Sequence, residues 1–156
     1  MTNFQRKGIS SNSKVGKDFE ALAYAYFIKI GSLSNLMPSY AVPLGTGDAK
    51  KNHRFDFGSE ESKVLIECKS HNWTITGNIP SAKLTMWNEA MYYFHLAPSV
   101  YQKIFFVLEA RHSRRRETLA EYYVHTNQHL IPRDVSIIEY DTISNTANYV
   151  KRGFAL

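Results

Sequence analysis

Two neighbouring segments hold the residues best suited to chemistry: Arg54-Phe55-Asp56-Phe57-Gly58 and Val64-Leu65-Ile66-Glu67-Cys68-Lys69. Their alternation, with turn residues Ser59 to Ser62 between them, predicts a β-hairpin. Successive side chains leave a strand on opposite faces, so Glu67 and Lys69 share one side while Ile66 and Cys68 take the other. Asp56, on the partner strand, shares that polar face if the register sets it opposite or diagonal to Glu67. Two carboxylates and an ammonium would then meet among Phe, Val, Leu and Ile. Paired carboxylates suit a hard divalent cation such as Mg²⁺, and a lysine beside metal-activated water suits phosphodiester hydrolysis. The same three residues could equally form a solvated sheet face with cross-strand ion pairs, each worth about 1 kcal/mol or less. Against that stands the segment Leu65 to Ser70, because charges are depleted from strands this apolar.

With Asp56, a ten-residue gap and Glu67-x-Lys69, the chain resembles the PD-(D/E)xK nuclease superfamily and its restriction-endonuclease-like fold. Upstream, Gly16-Lys17-Asp18-Phe19-Glu20 is similar to the first helix of that fold, which often carries a further glutamate near the metal. The resemblance spans Lys14 to His71 and departs from the family's name where Phe55, not proline, precedes Asp56; that position varies in the family. It implies Asp56, Glu67 and the backbone carbonyl of Cys68 as ligands of Mg²⁺, for which Mn²⁺ substitutes. Glu20 completes the shell directly or through water, and Lys69 orients or helps deprotonate the attacking water. The chain also looks like archaeal-type Holliday junction resolvases, which share the small single-domain build, the early Gly-x-x-Phe-Glu helix and an E-C-K-like strand. Two other functions stay open: a nucleic-acid-binding module that kept the fold and lost the chemistry, and a subunit of a larger defence or recombination complex. In the latter a protein partner supplies sequence recognition. Cutting both strands of DNA calls for a homodimer.

A chain of 156 residues is one domain able to bury its own core. A net charge of +5 and a pI near 9.3 suit a polyanionic partner such as DNA. One cysteine, Cys68, excludes an intramolecular disulfide and a multi-cysteine zinc site, and fits a reducing cytoplasm. Met1 to Lys7 lacks a signal peptide's apolar stretch, and no run is long enough to span a membrane. The expectation is a cytoplasmic protein.

The elements that must position these residues read as α-β-β-β-α-β-α-β, an α/β fold with a central mixed β-sheet flanked by helices, as in the restriction-endonuclease-like core. Residues 1–13 read as a mobile polar arm and 14–156 as a single nuclease-like domain. A helix is expected from Lys14 to Ile30, with Val15, Phe19, Leu22, Ala23, Tyr26, Phe27 and Ile30 at helical spacing and Gly31 as its stop. Glu20 sits at the edge of that stripe, where it can face the sheet. Ser39 to Leu44 reads as a strand and residues 45–53 as a loop. Ser81 is expected to cap a second helix ending near Leu96, with Leu84, Trp87, Met91 and Phe94 buried. A strand from Lys103 to Ala110, a helix from Glu117 to Leu130 and a strand from Val135 to Tyr140 complete the order.

Candidate nucleic-acid contacts lie around this frame. Lys50 and Lys51, in the loop leading to Asp56, suit phosphates. The run Arg111 to Arg116, with Arg114, Arg115 and Arg116, suits a DNA backbone. His71 and Trp73 follow the E-x-K strand, and Lys83 opens the next helix; each has a plain structural reading as well. His125 and His129 stand one helical turn apart, yet no cysteine or adjacent glutamate accompanies them, which favours two surface histidines over a zinc site.

Overall fold

The computed structural model describes residues 9–154. Helix α1 (Ile9–Ile30) leads into strands β1 (Met37–Leu44), β2 (Lys51–Ser59) and β3 (Val64–Lys69). Helix α2 (Ser81–Leu96), strand β4 (Gln102–Leu108), helix α3 (Leu119–Asn127) and strands β5 (Val135–Asp141) and β6 (Thr146–Lys151) follow. The six strands form one sheet in chain order. β1, β2 and β3 make an antiparallel meander, β3, β4 and β5 run parallel, and β6 returns antiparallel. The parallel pairs require crossovers, which α2 and α3 supply.

Two apolar layers sandwich the sheet, and strict alternation along the strands fills them. Leu65, Phe105, Val107, Val135 and Ile137 face α2 and α3, where Trp87, Phe94, Leu119 and Tyr123 close the layer. Val64, Ile66, Cys68, Ile104, Phe106, Ile138 and Tyr140 face α1 through Phe19, Ala23 and Phe27. Strands this apolar on both faces are the mark of a covered parallel sheet. The fold is therefore α/β, with a six-stranded mixed sheet flanked by three helices. Among the described residues no helix is long and apolar enough to cross a membrane.

Several elements differ from their expected form. α1 begins at Ile9 rather than Lys14, so residues 9–13 are helical and not part of an arm; the rest of the expected arm lies outside the described residues. Gly31, at φ 64, ends the helix as expected, because its αL conformation suits glycine. Lys51 to His53 belong to β2, which shortens the loop before it. Ser81 does not cap α2: Pro80 occupies the N-cap, and its carbonyl accepts the N–H of Lys83 and Leu84. α3 starts later than expected, behind a reciprocal capping box between Thr118 and Glu121, and ends in a 3₁₀ turn. β6 went unanticipated, since Thr-Ala-Asn-Tyr-Val-Lys on an exposed edge lacks an apolar alternation.

Gly58 permits the closest approach in the meander. A Cβ placed there would lie 2.4 Å from the Tyr40 ring and 2.8 Å from the Tyr40 Cβ. Tyr40 cannot swing away without leaving Glu60 and Tyr101, which its hydroxyl meets. Gly58→Ala should therefore lower the unfolding free energy by about 1–3 kcal/mol, the usual penalty of overpacking. Urea titration at neutral pH measures it; a midpoint equal to wild type would show that the strand gives way freely.

Candidate active site

β2 and β3 pair over three positions only: Ser59 with Val64, Gly58 with Leu65, and Phe57 with Ile66. Beyond that point the backbones part and a side chain takes over. The Cys68 backbone N–H donates to Asp56 Oδ2 at 2.7 Å. An extended residue points its N–H and C=O to the same side of the strand, so the Cys68 carbonyl also faces the Asp56 edge. The divergence leaves Phe55 in the α2/α3 layer and Phe57 in the α1 layer, although they are two residues apart.

Glu67 and Lys69 lie on the α2/α3 face, as alternation requires. Lys69 Nζ donates to Glu67 Oε1 at 2.5 Å, and the two side chains are 19% and 12% exposed. The other carboxylate oxygen, Glu67 Oε2, is buried without a hydrogen-bond partner. An orphaned buried carboxylate oxygen is expensive and needs a reason.

The electrostatics tie Glu20 to the same group. Burial raises the Asp56 carboxyl to about 6, and the neighbouring Glu67 adds to the rise against the Cys68 N–H and Lys69. The Glu67 carboxyl is raised by burial too, opposed by Lys69 and then by the backbone N–H of Asp56, with Glu20 adding to the rise. Glu20, on α1, is raised by burial and then by Asp56, opposed by Lys69 and Lys17. Burial alone would lower the Lys69 ammonium's pKa, but Glu67 and Asp56 outweigh it and hold it above its ordinary value. Three carboxylates thus crowd one ammonium, and each finds its charge harder to carry. Among the described residues no three His, Cys, Asp or Glu side chains stand in ligating geometry as they are, since Glu67 holds Lys69 and Asp56 holds the strand. The excess of negative charge and the orphaned Glu67 Oε2 nevertheless fit a hard cation, with Asp56, Glu67 and the Cys68 carbonyl as its holders and Glu20 beside them.

The peripheral candidates separate into open and closed ones. Lys50 and Lys51 are exposed at the tip of the β1–β2 hairpin, roughly 17 Å along β2 from Asp56 at ~3.3 Å per residue. Arg114 and Arg116 are exposed. Lys83 is half-buried in the first turn of α2. Trp73 is closed and corrects the expectation that it contacts nucleic acid. It is 6% exposed, its indole N–H donates to the Ala110 carbonyl at 3.0 Å, and the Arg115 guanidinium lies 4.6 Å from its ring centroid. Arg115 is correspondingly committed: its Nε donates to the Gly77 carbonyl at 2.7 Å. His71 is 7% exposed, stacks on Trp87 and accepts the Trp87 indole N–H at Nδ1, 2.8 Å away. Both residues hold the strand end in place. His125 is a surface residue 3.9 Å from Glu117, and His129 is also exposed.

Sequence reasoning passed over two polar residues on the face of Glu67 and Lys69. His53 stacks on Tyr93 with ring centroids 3.6 Å apart, and its Nε2 is buried without a partner. Burial and then Lys69 push its pKa down, against Glu89, so the ring stays neutral at pH 7. Its two-residue spacing from Phe55 was the available signal. Glu139 pairs in register with Val107, which pairs with Lys69, so one row crosses the sheet. It interrupts the apolar strand Val135 to Tyr140 as Glu67 interrupts β3, and that was its signal. A cavity of about 110 Å³, lined by Tyr26, Ile30, Ser32, Gln102, Ile104 and Ile138, belongs to the other layer and borders none of these groups.

No family model, no curated protein and no solved structure matches the chain.

The raised Asp56 carboxyl gives the protein a defined pH response. A carboxyl whose folded pKa exceeds its unfolded value of about 3.9 binds more protons when folded between those two values. Its contribution therefore favours folding below that window and is lost as pH rises through about 6. In chelator, Asp56→Asn should be more stable than wild type at pH 7.5, since an amide oxygen still accepts the Cys68 N–H without the buried charge. The difference should shrink between pH 7 and pH 4. Thermal melts across that range decide it, and a constant difference would show that Asp56 carries no unfavourable charge.

Proposed function

We propose that the protein is a divalent-metal-dependent nuclease of restriction-endonuclease-like build that hydrolyses phosphodiester bonds in DNA. The reading is carried by one observation: where β2 leaves β3, Asp56, Glu67 and Glu20 crowd around Lys69 with a buried oxygen of Glu67 left unpaired. A solvated sheet face would leave such charges in water; here the two lying on β3 are largely enclosed. The element order of the chain, α-β-β-β-α-β-α-β with β6 added, supports the same build.

Asp56, Glu67 and the Cys68 carbonyl would hold Mg²⁺ or Mn²⁺, with Glu20 in direct contact or one water away. A cation bound there supplies Lewis-acid polarisation of the phosphate and lowers the pKa of water. The protein's own part is positional and electrostatic. Glu67 keeps Lys69 charged and in place. Lys69 sets a positive charge against the oxygens on which negative charge builds as the phosphate is attacked, and it orients the attacking water. The basic balance of the chain favours a polyanion. A homodimer would bring two such sites to the two strands of a duplex, and a protein partner would supply any sequence recognition.

Supercoiled, linear, branched and single-stranded DNA, each incubated with Mg²⁺, Mn²⁺ or EDTA, test the activity and its substrate at once. Lys69→Ala should cut at least ~100-fold more slowly than wild type with DNA affinity nearly unchanged, because the lost interaction belongs to the transition state. Wild-type cleavage by the purified variant would refute the assignment.

The cation itself is tested without DNA. Millimolar Mn²⁺ should raise the thermal midpoint over EDTA, by an amount reflecting about 2.7 kcal/mol if the ion stands at a hundred times its dissociation constant. The increment should shrink in Asp56→Ala; an equal increment would place the ion elsewhere.

A further inference from the structure

We propose that Ile75 is an apolar wedge that enters a nucleic-acid duplex beside the candidate site and distorts it. The inference rests on the nuclease reading and names the state of DNA that the site would act upon.

Ile75 is 93% exposed, the most exposed large apolar side chain described. A single exposed isoleucine is ordinary. Its setting is not. Residues 74–78 form a tight turn: the Gly77 N–H donates to the Thr74 carbonyl, the Asn78 N–H to Thr74 Oγ1, and the Thr74 N–H to the Asn78 carbonyl. Three basic residues from the segment after β4 then grip the tip through its backbone. His112 Nε2 lies 3.1 Å from the Ile75 carbonyl, Arg114 Nη1 donates to the Thr76 carbonyl at 3.2 Å, and Arg115 Nε donates to the Gly77 carbonyl at 2.7 Å. Gly77 is required there, since its φ is 78 and a Cβ would strike the His112 ring. The backbone is held in detail while the isoleucine side chain is given nothing to pack against.

The charge around the tip selects the partner. Arg111 is spent on Glu109 at 2.5 Å and counts for little. Arg114 and Arg116 remain exposed. Because β2 runs antiparallel to β3, the hairpin tip with exposed Lys50 and Lys51 stands at the end of the sheet where β3 finishes. β4 runs parallel to β3 and delivers the arginine segment to that same end. Cations flanking a protruding aliphatic side chain match the arrangement that docks on phosphates and pushes a side chain between base steps. A protein partner would be served by a broad apolar patch, whereas residues 74–79 expose as apolar side chains only Ile75 and, to 37%, Ile79, with cations beside them. Ile75 lies six residues after Lys69, so at most about 20 Å of extended chain separates wedge from site. At ~3.4 Å per base step, a distortion at Ile75 falls within about six steps of the attacked phosphate.

The test uses full-length protein with Ca²⁺ in place of Mg²⁺ and end-labelled duplexes of about 25 base pairs: a stiff A-tract, a central TA step and a single mismatch. Wild type should bind the mismatch duplex about tenfold or more tightly than the A-tract, and should bend it by end-to-end energy transfer. Ile75→Ser, whose exposed side chain leaves folding untouched, should lose both preference and bend; Ile75→Met should keep them. Arg116→Ala should weaken binding to all three duplexes and reduce the salt dependence by about one ion, with the preference intact. If Ile75→Ser bends and discriminates like wild type, or alters self-association instead, the wedge is overturned. Cleavage by wild type and by Ile75→Ser alike, together with loss of cleavage in Lys69→Ala, would overturn the wedge and leave the nuclease reading standing. Absence of duplex binding by wild type would overturn the wedge whatever the catalytic result.

Discussion

Everything at the candidate site depends on one substitution of partners: beyond Phe57 and Ile66, the Cys68 N–H bonds the Asp56 carboxylate instead of a β2 carbonyl. A continued ladder would have paired the backbones and left Asp56 to project from one face. Parting them instead sets the carboxylate in the plane of the sheet, between the Cys68 edge and α1. There Asp56 feels both Glu67, on one face, and Glu20, from the helix on the other. The same departure lets Phe55 and Phe57 serve opposite apolar layers, so packing energy from both sides holds the strands apart.

The parallel core explains why so much charge can be tolerated there. β3, β4 and β5 are covered on both faces, so Glu67 and Lys69 sit at the end of a strand whose other side chains are buried. Their mutual hydrogen bond offsets part of the desolvation, and the remainder appears as raised carboxyl pKa values.

How much of this was legible in the sequence follows from where local pattern suffices. The faces of Glu67, Ile66, Cys68 and Lys69 follow from a period of two, and the buried stripe Leu84, Trp87, Met91 and Phe94 from a period of 3.6, and both are found. Placing Asp56 beside Glu67 needed register, which no local pattern carries; the parting of the strands is a tertiary outcome. Trp73 was misjudged because an aromatic residue after a strand gives no sign of which way it turns, and the covering group, Arg115, lies far along the chain. β6 escaped notice for a related reason: an edge strand needs few apolar residues, so its existence is written in its partner β5 rather than in itself. The capping box of α3 was readable in Thr118 and Glu121 but was overshadowed by the arginine run before it.

The single cysteine of the chain acquires a property from this arrangement. Cys68 is buried beneath α1, and its thiol is pushed well above its ordinary pKa by burial and then by Asp56, Glu67 and Glu20. Oxidants and alkylating agents react with thiolate, so burial and the neighbouring carboxylates together keep the adjacent sulfur chemically inert. Any event that neutralises those carboxylates or lifts α1 relaxes that protection. The cysteine is thus a dormant reporter, silent while the carboxylates keep their charge and the helix stays down.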